Sequence, residues 1–299
     1  MVKVHRHAKL LKHYDRIQGI LKGEFKPPVL TDVDPVNGPC NLDCKWCCQR
    51  YSREGNRERI LMSEQMLSDL GPFSKKWGVK AWRIAGDTEP LLNPNIDILF
   101  QSGYDNGIDM GLITNGVLLD KPKNLGLLNF LGISLDATDR EVWAKAKNSK
   151  PELFDRIISN IKKVREENPD LDISIKFVDW NNNFNHDDAK KFAEDLGCNC
   201  IIRDLIKRPD FDRCLATPLG GVFKADGSFD LCCDARGKYV LANNWDELLE
   251  IWGTEKHKEL INTIIPKKCG GCAKLDLNFI LQNIVQEGPD TGKSQINFI

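Results

Sequence analysis

Apolar and polar positions follow two rhythms along this chain. Short apolar runs recur as VLTDVD (29–34), VKAWRIA (79–85), IDMGLIT (108–114), FLGISLD (130–136), LDISIKFVD (171–179) and CNCIIRD (198–204). Runs of this length, bounded by turn residues, predict buried strands. Between them the rhythm turns helical. Ser63 stands as an N-cap before a helix from Glu64 to Leu70, and 94–103 reads as a short helix. After Pro151, residues Leu153, Phe154, Ile157, Ile158, Ile161 and Val164 recur at helical spacing until Pro169. A helix at 186–196 stops at Gly197. Strands alternating with helices predict a parallel sheet with right-handed crossovers. The span 29–209 is too short for a closed eight-fold barrel of roughly 250 residues. The expectation is an α/β fold, a partial (β/α)6 TIM-like barrel, with its ligand site at the carboxyl ends of the strands.

The flanks read differently. Residues 3–26 form a basic amphipathic helix ended by Pro27-Pro28, more readily packed on the body than held out as an arm. From about residue 210 the texture changes. GGVFKADGSFDLCC reads as a hairpin turning at Asp226-Gly227. Helical stretches follow at 245–252 and 255–263, then Cys269-Gly-Gly-Cys272 and a helix from Lys274. Three parts are expected: a helical extension at 1–28, the barrel at 29–209, and a small β-hairpin/α unit at 210–299.

Charge narrows the function. The 299 residues carry 42 Lys+Arg against 43 Asp+Glu, a net charge of −1. That balance counts against a dedicated nucleic-acid binder. A 41% hydrophobic share supplies a core. No run approaches the roughly 20 apolar residues of a membrane span. The N-terminus lacks the apolar stretch of a secretory signal, so the expected address is the cytoplasm.

Eleven cysteines dominate the chemistry. An odd number cannot pair completely, and clustered thiols in a chain of this size point to metal. They fall into two dense groups. The first, Cys40-Asn-Leu-Asp-Cys44-Lys-Trp46-Cys47, directly follows the first strand. Three thiolates on one loop can wrap a compact centre, whereas a closed structural site asks for four ligands. A zinc site using Cys48 as fourth ligand is the alternative, though adjacent Cys47 and Cys48 make a poor pair for one ion.

Cys-x3-Cys-x2-Cys with an aromatic before the last cysteine resembles the signature of the radical S-adenosylmethionine (SAM) enzymes. The resemblance implies that Cys40, Cys44 and Cys47 hold a [4Fe–4S] cluster whose fourth iron binds SAM. It also implies reductive cleavage of SAM and hydrogen abstraction by the 5′-deoxyadenosyl radical. Ala85-Gly86-Asp87-Thr88-Glu89-Pro90 is similar to the family's Gly-Gly-Glu-Pro turn: Gly86, Glu89 and Pro90 fit, and Thr88 replaces a glycine. Thr114, Ser134 and Asp136 stand at strand ends where the family binds SAM, and Trp46 is expected near the adenine. Lys176 and Arg203 interrupt strands that should be buried on both faces. They are expected either to face the barrel interior, holding anionic or hydroxyl groups of substrate or SAM, or to lie exposed at strand ends.

The second group, Cys214, Cys232-Cys233 and Cys269-x2-Cys272, resembles the twitch unit, the short form of the SPASM extension. It implies a second [4Fe–4S] cluster on Cys214, Cys232, Cys269 and Cys272. Strand alternation lets only one of Cys232 and Cys233 be a ligand, and a zinc ribbon is the alternative. Cys198 and Cys200 read as core thiols. The layout is similar to the aminocyclitol dehydrogenases. That implies an oxidoreductase acting on a small polar alcohol, with the auxiliary cluster as electron acceptor and a flavodoxin or ferredoxin as reductant. Peptide modification is the main alternative. An RNA-modifying enzyme and a non-catalytic zinc-binding interaction protein stand behind it.

Overall fold

The computed structural model describes residues 6–47, 58–180, 183–205 and 207–282, so Cys48 and the zinc alternative that needs it lie outside the described residues. The chain divides into two compact units. One gathers 1–29, 206–221 and 229–299; the other gathers 30–205 and 222–228. This grouping is not the sequential division into extension, barrel and C-terminal unit.

The first unit begins with a 3-10 stretch, Arg6–His13, leading into α1 (Tyr14–Lys22). The long helix expected over 3–26 is thus two shorter pieces, closed by Gly23 in the left-handed conformation.

The second unit is the barrel. Its strands are β1 (Leu30–Val33), β2 (Val36–Asn37), β3 (Ile60–Leu61), β4 (Ala81–Ile84), β5 (Asp109–Thr114), β6 (Phe130–Ser134), β7 (Asp172–Asp179), β8 (Asn199–Asp204) and β9 (Val222–Phe223). Its helices are α2 (Glu64–Trp77), α3 (Ile96–Asp105), α4 (Arg140–Lys147), α5 (Glu152–Glu167) and α6 (His186–Asp195). All pairings in the order β9-β1-β4-β5-β6-β7-β8 are parallel. β2 and β3 form a separate antiparallel pair beyond the end of β1.

Strand alternation gives this sheet two unlike faces. Trp82, Ile84, Leu112, Leu131, Ile133, Ile173, Ile175 and Phe177 share one face and are fully buried. Helices cover it: the Trp82 Nε1–H donates to Ser74 Oγ of α2 (3.0 Å), and Gly103 of α3 sits against Trp82 and Met110. The opposite, inner face carries Asp32, Arg83, Gly111, Ile113, Gly132, Ser134, Ser174, Lys176, Val178 and Arg203 in register.

Three elements depart from the sequence reading. Helix α2 runs on through Gly71-Pro72 to Trp77 instead of ending at Leu70. Proline deprives the Ser68 carbonyl of its helical donor; the Ser102 hydroxyl of α3 replaces it at 2.6 Å, and Gly71 N donates to the same oxygen at 3.0 Å. Helix α4 was not anticipated. Its N-cap is Asp139, whose carboxylate accepts from Glu141 N and Val142 N, both at 2.9 Å. Strand β9 pairs with β1 in the barrel sheet, so the first arm of the expected C-terminal hairpin belongs to the barrel. Apolar burial explains it: Val222 and Phe223 are fully buried, and Phe223 meets Phe73 and Trp77 edge-on at 5.9 and 6.1 Å. The Asp226-Gly227 turn forms as expected, closed by Lys224 N donating to Ser228 O at 3.0 Å.

The rest of the first unit comprises an antiparallel pair, β10 (Phe229–Asp230) and β11 (Val240–Ala242), with α7 (Trp245–Ile251), α8 (Glu255–Asn262) and α9 (Leu275–Ile280). Ile17 of α1 packs with Leu215, Ala216 and Leu281 in a buried cluster. His257 is fully buried between Trp252 and Phe25, with ring centroids at 4.4 and 5.1 Å. Among the described residues no helix is long and apolar enough to cross a membrane.

Candidate active site

The Cys40–Cys47 loop leaves the carboxyl end of β1 and is fastened by backbone and amide contacts. The carbonyls ending α4 receive it: Asp43 N donates to Lys147 O (3.3 Å) and Lys45 N to Ala146 O (3.1 Å). Asn148, in the left-handed conformation that ends α4, donates from Nδ2 to Asp43 Oδ2 at 3.1 Å. From β5, Asn115 Nδ2 donates to Asn41 Oδ1 at 2.8 Å. Cys40, Cys44 and Cys47 are half-buried. Burial pushes the Cys44 thiol up, against the pull of the Lys147 ammonium. Binding of a metal here would take the proton from Cys44. Three soft donors on one loop, with a backbone fastened on two sides, fit a [4Fe–4S] cluster. Among the described residues no three Cys, His, Asp or Glu side chains converge around a single ion.

Behind the loop lies a chain of contacts. Asp136 follows β6 with φ +68°, a left-handed conformation that aspartate tolerates better than most residues. Its Oδ1 accepts from Val178 N (2.9 Å) and its Oδ2 is ion-paired with Lys147, both side chains being buried. The carboxylate expected at the cofactor is thus occupied inside the protein. The Lys147 ammonium also lies over the Trp46 ring, 5.1 Å from its centroid. Trp46 stacks on Trp180, which follows β7, with centroids 4.7 Å apart and planes at 27°. Asn183 locks the corner, accepting from Trp180 N (2.8 Å) and donating to Asp136 O (2.7 Å).

The turn after β4 is the third part. Gly86 has φ +155°, where a Cβ would stand 3.2 Å from Thr88 O. Glu89 is buried and accepts from Thr114 Oγ1 (2.6 Å), Asn115 N (2.7 Å) and Leu91 N (3.2 Å). Burial raises its pKa to about 6, and these donors oppose the rise, leaving an ionised carboxylate at neutral pH. Thr114 therefore holds Glu89 and ties the ends of β4 and β5 together. Thr88, in the place of a glycine, is buried, and its Oγ1 has no partner among the described residues.

On the inner face, Arg83 pairs with Asp32 at 2.6 Å. Ser134 is half-buried and in register with Lys176. Lys176 is also half-buried, its pKa lowered to about 8 by burial first, then by Arg203 and Arg83. Arg203 follows the second of its two expectations. It is exposed, because β8 ends the open sheet and pairs only with β7.

The other cysteine group sits in the first unit on four segments tied together. Asn278 of α9 accepts from Leu215 N (2.7 Å) and Ala216 N (3.0 Å), and its Nδ2 lies 4.0 Å from Cys214 Sγ. Asp234 Oδ2 accepts from Ala273 N (2.7 Å), joining the turn after Cys233 to the end of the Cys269–Cys272 loop. Cys272 N donates to Lys207 O at 3.0 Å. Cys214, Cys232, Cys269 and Cys272 are half-buried, while Cys233 is buried. β10 ends at Asp230, so Cys232 and Cys233 lie in a turn and strand alternation does not choose between them. Burial pushes the Cys232 and Cys272 thiols up to about 12. The all-thiol donor set fits an iron–sulfur cluster. Cys198 is buried just before β8, with its Sγ 3.4 Å from Leu196 O, and Cys200 is half-buried on β8.

Lys147, Trp180, Asn183 and Asn41 belong to this site and were not read from the sequence. Asp139 as an N-cap was the one local signal that could have revealed α4 and hence Lys147. Trp180, Asn41 and Asn183 have no local signature, since their partners come from distant segments.

Comparison with known proteins agrees with the geometry. The sequence matches the Radical SAM superfamily over residues 36–196. It is similar to a probable GTP 3′,8-cyclase of Methanocaldococcus jannaschii, 30% identical over 197 residues that make up 62% of each chain. The chain thus spans less than two thirds of that relative's length. Among solved structures, the fold resembles Streptococcus suis SuiB bound to precursor peptide SuiA, with a TM-score of 0.57 and 16% identity over 88% of this chain and 73% of that one. It also resembles BtrN in complex with AdoMet and 2-DOIA, with a TM-score of 0.52 and 15% identity over 82% of this chain and 94% of that one. At such identities the two structures speak for the fold alone. The family match covers more than half of the chain and includes the Cys40–Cys47 loop and the turn at Gly86–Pro90: this chain belongs to the radical SAM superfamily.

Proposed function

We propose that this protein cleaves SAM reductively at the Cys40–Cys47 loop and oxidises a small polar substrate by hydrogen-atom abstraction. The observation that carries the reading is the placement of three thiols on one loop at the carboxyl end of β1, clamped by α4 and β5. When bound, the cluster supplies one electron to the sulfonium of SAM, and the radical released takes a hydrogen atom from substrate. The chain's residues orient and shield. Trp46, held between the Lys147 ammonium and Trp180, presents an aromatic edge beside the loop for the adenine. Glu89 fixes the turn at Gly86, whose backbone is the receiver for the SAM amino group. Ser134 lies in register with Lys176, facing the volume where ribose and substrate meet.

Cys214, Cys232, Cys269 and Cys272 would hold an auxiliary [4Fe–4S] cluster that accepts the second electron, completing oxidation of an alcohol to a carbonyl. A flavodoxin or ferredoxin would supply the first. A second reading, rearrangement of a nucleotide, draws on the similarity to a probable GTP 3′,8-cyclase and on the basic residues of the inner face. A peptide substrate, as in SuiB bound to SuiA, is the third.

The test is anaerobic reconstitution. The wild-type chain should carry about eight irons, the content of two cubanes, and form 5′-deoxyadenosine from SAM under reduction. Replacing Cys40, Cys44 and Cys47 by alanine should abolish that product and halve the iron. Product formation by the triple variant would refute the assignment.

A further inference from the structure

We propose that Lys147 is a positioning residue for electron uptake: its buried ammonium, aimed by Asp136 at the cysteine loop, raises the reduction potential of the cluster held there. The inference rests on the assignment of a cluster to Cys40, Cys44 and Cys47. It goes beyond that assignment by naming what sets the ease of reduction.

The order of groups in space carries the inference. β7 is the anchor, with Val178 N donating to Asp136 Oδ1 at 2.9 Å. The other carboxylate oxygen is ion-paired with Lys147, and both side chains are buried. Beyond that pair the ammonium lies over Trp46, 5.1 Å from the ring centroid. Trp46 stands between Cys44 and Cys47 in the chain. The carboxylate thus sits on the strand side of the pair and the ammonium on the thiol side. Of the groups acting on the Cys44 thiol, Lys147 pulls most strongly, ahead of Cys47, Asp136 and Cys40, which all push the other way. The two charges of the pair therefore do not cancel at the loop.

Fastening the loop does not call for this ammonium. Asp43 N and Lys45 N donate to the backbone carbonyls of Lys147 and Ala146. The amides of Asn148 and Asn115 hold Asp43 and Asn41. A buried ion pair brings no stability that apolar side chains of the same volume would lack. What it does supply is a fixed charge in a water-poor setting. Electron uptake adds negative charge to an iron–sulfur cluster, and a nearby cation favours the more negative state. The Asn183 amide, donating to Asp136 O at 2.7 Å, keeps the carboxylate end of the pair in place.

The test is a redox titration of the reconstituted, SAM-free holoenzyme, followed by electron paramagnetic resonance. The signal to follow is the one lost when Cys40, Cys44 and Cys47 are replaced by alanine. Lys147→Met should lower the midpoint, so that the reduced-to-oxidised ratio at a fixed potential falls about tenfold, or about 59 mV for a one-electron couple. Lys147→Arg keeps the charge and should recover most of the shift. Combining Lys147→Met with Asp136→Asn leaves no buried charge unpaired, so this double variant serves where the single one fails to fold. Its midpoint should also fall, because the lost pair turned its cation toward the thiols. Asn148→Gly removes the amide that holds Asp43, suits the left-handed backbone there, and should leave the midpoint unchanged. A double-variant midpoint at or above the wild-type value overturns the proposal. An equal fall in Asn148→Gly also overturns it, because slackness of the loop would then set the potential. A wild-type chain that reconstitutes no such cluster refutes the cluster assignment instead, so the two failures are told apart.

Discussion

His257 and Glu89 show how burial sets charge in this protein. Nδ1 of His257 accepts from Gly253 N at 3.0 Å, while Nε2 has no partner among the described residues. Burial lowers its pKa to about 4, so the folded state keeps it neutral. In the unfolded chain a histidine titrates near 6.5. Between pH 6.5 and 4 the unfolded state therefore binds more protons, and stability falls with pH across that window, by on the order of 3 kcal/mol in full. Urea unfolding at pH 7 and pH 5 should show the loss in the wild-type chain and a smaller one in His257→Gln; identical pH profiles would contradict it. Glu89 runs the other way. Its folded pKa of about 6 lies above the unfolded value, so ionising it costs stability as pH rises through that window. Three donors from Leu91, Thr114 and Asn115 converge on the carboxylate and offset part of that cost.

At the scale of elements, α4 decides the geometry of the cysteine loop. Its C-terminal carbonyls receive Asp43 and Lys45, and its last residue, Lys147, reaches Trp46 and Asp136. The helix is only eight residues long, so its cap matters more than in a longer helix. Asp139→Ala should destabilise the protein by about 1 kcal/mol. It should also loosen the loop, seen as lower iron retention on desalting after reconstitution. Full iron retention in a measurably destabilised variant would separate the helix from the loop. The Ser68–Ser102–Gly71 contact makes a similar point: a proline that should end α2 is accommodated by a hydroxyl from α3.

At the scale of the whole molecule, the two cysteine groups belong to separate compact units and should be separable by mutation. Replacing Cys269 and Cys272 by alanine should remove about half of the iron and leave SAM cleavage without substrate measurable, while oxidation of substrate is lost. Loss of SAM cleavage in that variant would mean that the second group serves the first centre. SAM should likewise perturb the spectrum of the Cys40–Cys47 cluster alone.

The local features were legible from residue order. Thiol spacing on one loop, the apolar runs of six strands and the helical period of α5 each need only neighbouring residues, so the barrel and both cysteine groups could be read directly. Contacts between distant segments could not. Phe223 reveals its place in the barrel only by meeting Phe73 and Trp77, Arg203 its exposure only through the edge position of β8, and Trp180 its role only by stacking on Trp46, since each depends on which strands and helices become neighbours. Residue order determined the chemistry this chain can hold; the tertiary structure decided which charges face the interior and which side chains clamp the loop, because burial and long-range packing set both.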